Sequence, residues 1–479
     1  CAHARHPARS VVCRMIRVNT PDPPPDPSSL PPVPLVRGGI GFRTFFGDRL
    51  RFLMRFAELT GEGGIGQVRF GPRTAVLVNT PEAAGEVLLE RAADFHKGPA
   101  LSVYARPLLG NGLLTSEDGF HRRQRQLIAP AFAHKRVVTY AAPMAEVAER
   151  AQERWAEGKG IDGAEEMARL TLAIVGQTLF GVSQVADEAD ELGAALTTAM
   201  RFFVDMIRSP LRPPFAFVPP WKRDVRQALA RLDATIYRLI RERRASGEDA
   251  GDLLSMLLHA RDEATGEGMP ERQIRDEAMT LFLAGHETTA NALAWTWYLL
   301  AKHPEVYARV QAEGDAVCAG RTPEYADLAC LPYTLQALKE SMRLYPPAYA
   351  LVRQAVRETA AGGYRLPPRA IVLISPYLLH HRPDLYPDPE RFDPDRFTPE
   401  AEKARARYAY LPFGGGPRLC IGAAFALMEG HLVLATLAQR VTFALADPAQ
   451  EVEPEPLITL RPRGGVPLLV TRRRPPVSR

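Results

Sequence analysis

The amino-acid sequence predicts a mainly α fold with small β-sheets, an α+β arrangement gathered into one large unit. Apolar residues keep a helical period with few interruptions from Pro81 to about Gly314. Short strand-and-turn texture brackets that stretch on both sides, and no internal repeat divides it. A length of 479 residues would alone suggest about three domains, yet nothing between residues 40 and 470 reads as a long linker. Residues 1–34 are set aside as an extended leader and 35–479 as a single domain.

The leader's run PDPPPDPSSLPPVP, residues 21–34, suits neither helix nor central strand and is expected to lie extended over the globular body. Met15 reads as the natural start, which makes residues 1–14 upstream sequence. An amphipathic stretch follows around Asp48 to Leu59. Gln67–Phe70 and Ala75–Asn79 then flank Gly71-Pro72-Arg73 as a β-hairpin. The glycines at 61, 63, 64 and 66 form a turn, because no strand precedes them as a phosphate loop requires. Helical breaks fall at Gly98-Pro99, Gly110–Gly112, Gly158–Gly163, Pro210–Pro220 and Gly266–Pro270. The apolar, proline-stiffened connection Arg208–Trp221, with Phe215 and Phe217, either covers a pocket or is pinned to the core.

Pro270 opens a long helix that runs to about His303-Pro304. Past Pro346, strands are expected around Gly363–Leu366 and Ala370–Ile374. An irregular Pro-rich stretch, Arg382–Phe397, comes next. A last helix over Gly422–Arg440 and a closing hairpin within Leu457–Val470 complete the chain.

Composition limits the chemistry. The net charge of +5 is spread along the chain instead of forming the basic face a nucleic acid needs, so no nucleic-acid partner is expected. A weakly basic face for an acidic electron carrier stays open beside simple base-composition bias toward Arg. No run approaches the ~18 apolar residues of a membrane span, and the first residues lack the apolar core of a signal peptide. Five cysteines, an odd number with no CxxC pair, argue against a disulfide framework or a structural zinc site. A cytoplasmic enzyme with mostly inert thiols is expected.

The strongest local signal is Phe413-Gly414-Gly415-Gly416-Pro417-Arg418-Leu419-Cys420-Ile421-Gly422. Consecutive glycines allow positive φ and leave the backbone bare. N–H groups can then turn onto one acceptor, the Cys420 sulfur, which as a thiolate also gains from the helix N-terminus that follows. Gly422 leaves room for a flat cofactor, and Arg418 can reach its anionic edge. Taken alone, such a loop is ordinarily a glycine turn before an inert cysteine; here the glycines, Arg418 and Gly422 all have roles around one metal-bound thiolate. The segment resembles the haem-binding loop of the cytochrome P450 family, of soluble bacterial type. That resemblance implies the P450 fold, haem b (iron protoporphyrin IX) with Cys420 as iron ligand, a thiolate that favours O–O cleavage, and Phe413 beside the sulfur.

On the long helix, Ala284-Gly285-His286-Glu287-Thr288-Thr289 gives a second signal. Ala284, Gly285 and Thr288 share a small face with one hydroxyl, while Glu287 points about 100° away. Alone, this is a threonine bonded to the preceding turn and a solvated glutamate. Beside the cysteine loop it resembles the family's acid–alcohol pair. The resemblance implies Thr288 as the oxygen-side hydroxyl, Glu287 as proton relay, Ala284 and Gly285 against the haem, and His286 as structural.

Glu340 and Arg343 match the family's ExxR element, and Pro389-Glu390-Arg391-Phe392 matches its Pro-Glu-Arg-Phe element, so Arg391 is expected to complete a buried structural triad. Two buried propionates need paired cations or donors. By resemblance these are His121, where the family often has Trp, with Arg125, Arg353 and Arg418. The implied activity is a monooxygenase that inserts one atom of O2 into an apolar fatty acid, terpenoid or steroid-like molecule. Its electrons come from NAD(P)H through a separate ferredoxin or flavodoxin and its reductase, since the 59 residues after Cys420 are too few for a fused one. Pocket-lining residues are expected within Leu101–Leu114, Phe202–Phe217, Phe282, Tyr349–Leu351 and Ile458–Thr459, with core packing as the alternative for each aromatic. Arg49, Arg51 and Arg55 are solvated or anchor a carboxylate at the mouth. Two rivals share the haem loop: a relative that uses peroxide or isomerises an oxidised lipid, and a non-catalytic haem sensor. The Glu287–Thr288 pair argues against both, and the apolar pocket argues further against the sensor.

Overall fold

The computed structural model describes residues 26–473 except 37–47, 71–72, 182–188, 209–218, 220, 248 and 262–265. Residues 1–25, the hairpin tip Gly71-Pro72 and most of the Arg208–Trp221 connection, including Phe215 and Phe217, lie outside the described residues. The principal helices are α1 (Arg49–Thr60), α2 (Asp118–Ile128), α3 (Ala141–Glu153), α4 (Gly163–Leu179), α5 (Ala189–Arg208), α6 (Arg223–Ser246), α7 (Glu271–Lys302), α8 (Pro304–Cys318), α9 (Pro332–Leu344) and α10 (Ala423–Arg440). Their starts follow local chemistry. The Asp48 carboxylate caps α1 by accepting from Arg51 N–H, and Asp162 caps α4.

The long helix α7 is the axis of the molecule. Leu293, Ala294, Trp295, Trp297 and Leu300 are fully buried, and α4, α6, α9 and α10 all pack against it. A helix apolar on nearly every side belongs in the middle of a bundle. Trp295 also stacks on Tyr345 with centroids 3.9 Å apart and donates its indole N–H to the Leu460 carbonyl at 2.9 Å. That bond ties the bundle to the C-terminal strands.

The main sheet has the order β1-β2-β8-β5-β3, built from Ile65–Phe70, Arg73–Val78, Ile371–Ile374, Leu351–Ala355 and Phe95–Lys97. The β1–β2 hairpin is antiparallel, and β2 runs parallel to β8 from Ala75↔Ile371 to Val78↔Ile374. At the far edge Lys97 of β3 pairs with Arg353 of β5, which brings two cations together. Small sheets are β4-β12-β9 (Gly160–Asp162, Pro467–Arg472, Val441–Leu445), β10-β11 (Pro454–Pro456, Leu460–Pro462) and β6-β7 (Thr359–Ala361, Tyr364–Leu366). The described end of the proline-rich run is pinned to the body: Val33 is buried, and Gln67 bonds both the Pro34 and Val33 carbonyls.

The expected closing hairpin does not form. β11 pairs with β10, while β12 joins β9 and β4. Gly464 and Gly465, at φ +76° and +86°, turn the chain from one sheet to the other.

The structural triad also differs from expectation. Arg343 is fully buried and holds Glu340 through two parallel bonds of 2.7 and 2.8 Å. Arg391 contributes only its backbone carbonyl, which accepts from Arg343 at 3.2 Å, and its side chain is exposed. The second cation at Glu340 is Arg396, with Nε 3.5 Å from Oε1. The pattern Pro-acid-Arg-Phe occurs twice, at 389–392 and 394–397, and it is the second copy that turns its arginine toward Glu340. Arg396 also donates to the Pro387 and Asp388 carbonyls at 2.6 and 2.9 Å.

Buried His380 bridges α9 and the approach to the cysteine loop. Its Nε2 accepts from Leu411 N–H at 2.9 Å, so Nδ1 carries the proton and donates to the Arg343 carbonyl at 3.1 Å. Burial, with His381 and Arg343 nearby, holds its pKa well below the usual value, and His286 and His431 are lowered to about 4 chiefly by burial. These rings resist protons that the unfolded chain accepts. Stability is therefore expected to be lost as pH falls below about 6.5, visible as a falling melting temperature. Arg396→Ala is expected to cost about 3 kcal/mol, against no more than about 0.5 kcal/mol for Arg391→Ala, measured by denaturant unfolding. Equal effects would return Arg391 to the triad.

Candidate active site: cysteine loop, central helix and buried cations

The cysteine loop is a built turn. Gly414 and Gly416 adopt φ +74° and +65°, and a Cβ on Gly416 would stand 1.7 Å from the Leu88 carbonyl oxygen. Cys420 N–H donates to the Phe413 carbonyl at 3.0 Å, which closes the loop. Cys420 is exposed, although protein surrounds it closely enough that desolvation pushes its thiol up. The Gly422 N–H and the Arg125 charge pull the other way. Of the N–H groups expected to converge on the sulfur, Gly422 is the donor found. A Cβ at Gly422 would make only ordinary contact with Phe132, at 3.6 Å, so protein packing does not require glycine there.

On α7, the residues expected to face a cofactor break the helix's burial. Ala284 is exposed, and Gly285 and Thr288 are half-buried, whereas Leu283, His286, Glu287 and Thr289 are buried. Thr288 donates its hydroxyl to the Ala284 carbonyl at 2.7 Å. His286 is structural, with Nδ1 3.0 Å from the Thr171 hydroxyl of α4. Glu287 points away from this face into an ion pair with Arg461 of β11, and the Thr459 hydroxyl donates to it at 2.6 Å.

The cations gather at one corner. Arg418 donates to the Ser116 carbonyl at 2.8 Å and pairs with Glu117. Burial and the neighbouring Arg418 lower Arg353 to about 10; the same two causes, with Lys97 and Arg125, lower His121 to about 3. Sequence reasoning missed Lys97. Its ammonium donates to the Leu113 and Leu114 carbonyls at 3.1 and 2.6 Å, and burial together with Arg418 lowers it to about 7. Its signal was β3 itself, a three-residue strand too short to show alternation. Glu117 is the carboxylate bonded directly to this group, through Lys97 N–H and Arg418. Such an excess of buried positive charge suits a dianionic ligand edge, so the residues present fit the propionates of a haem.

An apolar pocket adjoins the helix. Leu101, Leu114, Phe202, Phe203, Leu283 and Ile458 are among its walls. Other expected wall residues are placed elsewhere. Phe282 packs edge-on against Phe180, Tyr349 donates to the Leu457 carbonyl, and Thr459 is committed to Glu287. Arg49 Nη1 donates to the Leu457 carbonyl, and Arg55 pairs with Glu58.

The fold and the site are those of a haem-thiolate protein. The profile of the family described as Cytochrome P450 matches residues 27–468. Cyclooctatin synthase of Streptomyces melanosporofaciens is 40% identical over 416 residues, covering 86% of this chain and 89% of that protein. Cyclooctat-9-en-7-ol 5-monooxygenase of the same organism is 40% identical over 81% of this chain and 84% of its own. Pentalenene oxygenase of Streptomyces avermitilis is 34% identical over 88% and 92%. The crystal structure of the cytochrome P450DA heme domain superposes with a TM-score of 0.82 at 29% identity, covering 93% of this chain and 99% of that one. The chain belongs to the cytochrome P450 family. It is an oxidoreductase that uses haem b, with electrons drawn from NAD(P)H through redox partners.

The two loop glycines separate packing from cofactor. Gly416→Ala is expected to abolish folded protein, because both φ and the Leu88 carbonyl oppose a side chain. Gly422→Ala should leave the melting temperature of the haem-free protein within about 2 °C while lowering haem retention, read from the Soret-to-protein absorbance ratio.

Proposed function

We propose that the protein is a monooxygenase of neutral cyclic terpenoids, with Cys420 as the iron ligand. The carrying observation is the pocket: among the described residues its walls are apolar apart from the Tyr104 hydroxyl and offer a carboxylate no cation. A buried, unpaired carboxylate would be strongly disfavoured, which argues against a fatty acid. The Streptomyces relatives are named for cyclooctatin, cyclooctat-9-en-7-ol and pentalenene, in line with this choice.

The haem, when bound, supplies O2 activation through its thiolate-ligated iron, one oxygen atom going to the substrate and the other to water with two electrons and two protons. The chain's own residues do the rest. Arg125, Arg353, Arg418, His121 and Lys97 hold the propionates. Ala284 and Gly285 present a small surface, and the apolar walls exclude water and orient one C–H bond of the substrate. The Thr288 hydroxyl holds a proton on the oxygen side, and Glu287 relays protons to it. A ferredoxin or flavodoxin with its reductase delivers the electrons. Among the described residues no helix is long and apolar enough to cross a membrane, and we place the protein in the cytoplasm.

The test compares carbon monoxide difference spectra of reduced wild type and Cys420→Ser. A red-shifted Soret band is expected in wild type and not in the variant; its absence from haem-loaded wild type would remove Cys420 as ligand. Thr288→Ala should keep that band yet lower product formed per NAD(P)H about 10-fold or more, and unchanged coupling would remove the hydroxyl from proton delivery.

A further inference from the structure

Glu287 is held in a clamp. Arg461 Nε and Nη2 donate to its Oε1 and Oε2 at 2.6 and 2.5 Å, and Thr459 Oγ1 donates to Oε1 at 2.6 Å. Asn291 Nδ2 adds a contact at 3.4 Å and also bonds Thr459 at 3.0 Å. The Thr288 hydroxyl, one residue on, is turned to the Ala284 carbonyl. Acid and alcohol are thus each bonded elsewhere. Burial pushes the Glu287 carboxyl up, but Arg461, Thr459 and the neighbouring His286 outweigh it and hold the carboxyl below the ordinary range.

The clamp is continuous with the pocket wall. Ile458 lines the pocket and immediately precedes Thr459. Both sit between fixed points. The Leu457 carbonyl accepts from Arg49 and Tyr349 at 3.2 and 3.0 Å, and Leu460 N–H donates to the Pro347 carbonyl at 3.0 Å while its carbonyl accepts from Trp295. A segment anchored on both sides can answer pressure on Ile458 mainly by pivoting, and the pivot carries Thr459. Arg461 is one-quarter exposed and closes the solvent side of Glu287.

We propose that Arg461 and Thr459 are positioning residues that keep Glu287 charged and turned from Thr288 until substrate pressing on Ile458 releases it. This rests on the monooxygenase reading. Once released, Glu287 takes one proton from solvent water and passes one toward Thr288, whose hydroxyl proton moves on in turn. The carboxylate ends as it began, and no electron moves in the relay. Proton delivery is thereby withheld from an empty pocket.

The test follows the Glu287 carboxyl by infrared spectroscopy against pH in the haem-loaded protein, the band being assigned by its loss in Glu287→Gln. Arg461→Ala should raise its titration by about one pH unit or more, and Arg461→Lys should recover most of the difference. Ile458→Phe, which presses on the same segment, should shift it in the direction of Arg461→Ala by a smaller amount. With electrons supplied and no substrate, Arg461→Ala should also release more peroxide per NAD(P)H than wild type. Should the alanine variant fail to fold, Thr459→Val gives the same reading through the second donor. An unchanged titration in the clamp variants overturns the clamp, and an unchanged titration in Ile458→Phe overturns its link to the pocket. Shifted titrations in a protein that never incorporates oxygen would keep the clamp and remove the monooxygenase reading. Normal oxygen incorporation with unshifted titrations would do the reverse.

Discussion

Buried positive charge lacking equal negative charge is the constraint around which this molecule is arranged. Lys97, His121, Arg353 and Arg418 come from a short strand, a helix, a second strand and the cysteine loop, and they meet where Glu117 is the carboxylate in direct contact. Each is lowered by burial; the Arg418 charge lowers the other three further, and Lys97 adds to the effect on His121, which stays neutral as a donor. Such a cluster costs stability unless an anion joins it. Lys97 shows how the structure limits that cost: its ammonium is spent on the Leu113 and Leu114 carbonyls. The cluster is thereby tied to the pocket, because Leu114 is one of the pocket walls. The cation cluster and the apolar pocket share a backbone segment.

The same segment is held from its other side by α7. Asp276 accepts from Asn111 N–H and Glu277 from Leu113 N–H, both at 2.8 Å. Gly110 and Gly112 permit this approach, since a Cβ on either would overlap Asp276 or Thr280. Burial pushes Glu277 up to about 7. Two carboxylates facing inward from a central helix are poor choices for packing but effective anchors for backbone N–H groups that would otherwise be unpaired. They hold the pocket wall in register with the helix face that carries Thr288.

Features with a local signature were legible in the sequence, and features set by distant pairing were not. α7 was readable from Pro270 to His303 because a proline start and a long apolar period are properties of consecutive residues. The cysteine loop was readable because glycine is the residue positive φ demands, as Gly414 and Gly416 show. Lys97 was invisible: its importance lies in standing opposite Arg353, more than 250 residues away in the chain. Arg461 was missed for the same reason, and the closing hairpin was misread because proximity in sequence was allowed to stand for pairing. The triad shows a third kind of failure. Arg391 and Arg396 stand in two near-identical tetrapeptides, and only the tertiary contact with Glu340 distinguishes them.

That choice bears on why the site can hold its charges at all. Glu340 accepts two bonds from Arg343 and a third from Asp393 N–H, while Arg343 also donates to the His380 and Arg391 carbonyls. Every one of these partners lies on the path between α9 and the cysteine loop. A buried ion pair so fully bonded adds little net stability over a hydrophobic alternative, but any displacement leaves a charge unpaired. The pair therefore resists deformation more than it stabilises. His380 passes that rigidity to Leu411, two residues before Phe413, whose carbonyl closes the loop on Cys420. The loop itself is rich in glycine and has little stiffness of its own, so its shape is imposed from this network behind it. A cysteine that must keep one position beside a cofactor gains that position from charges that never touch it.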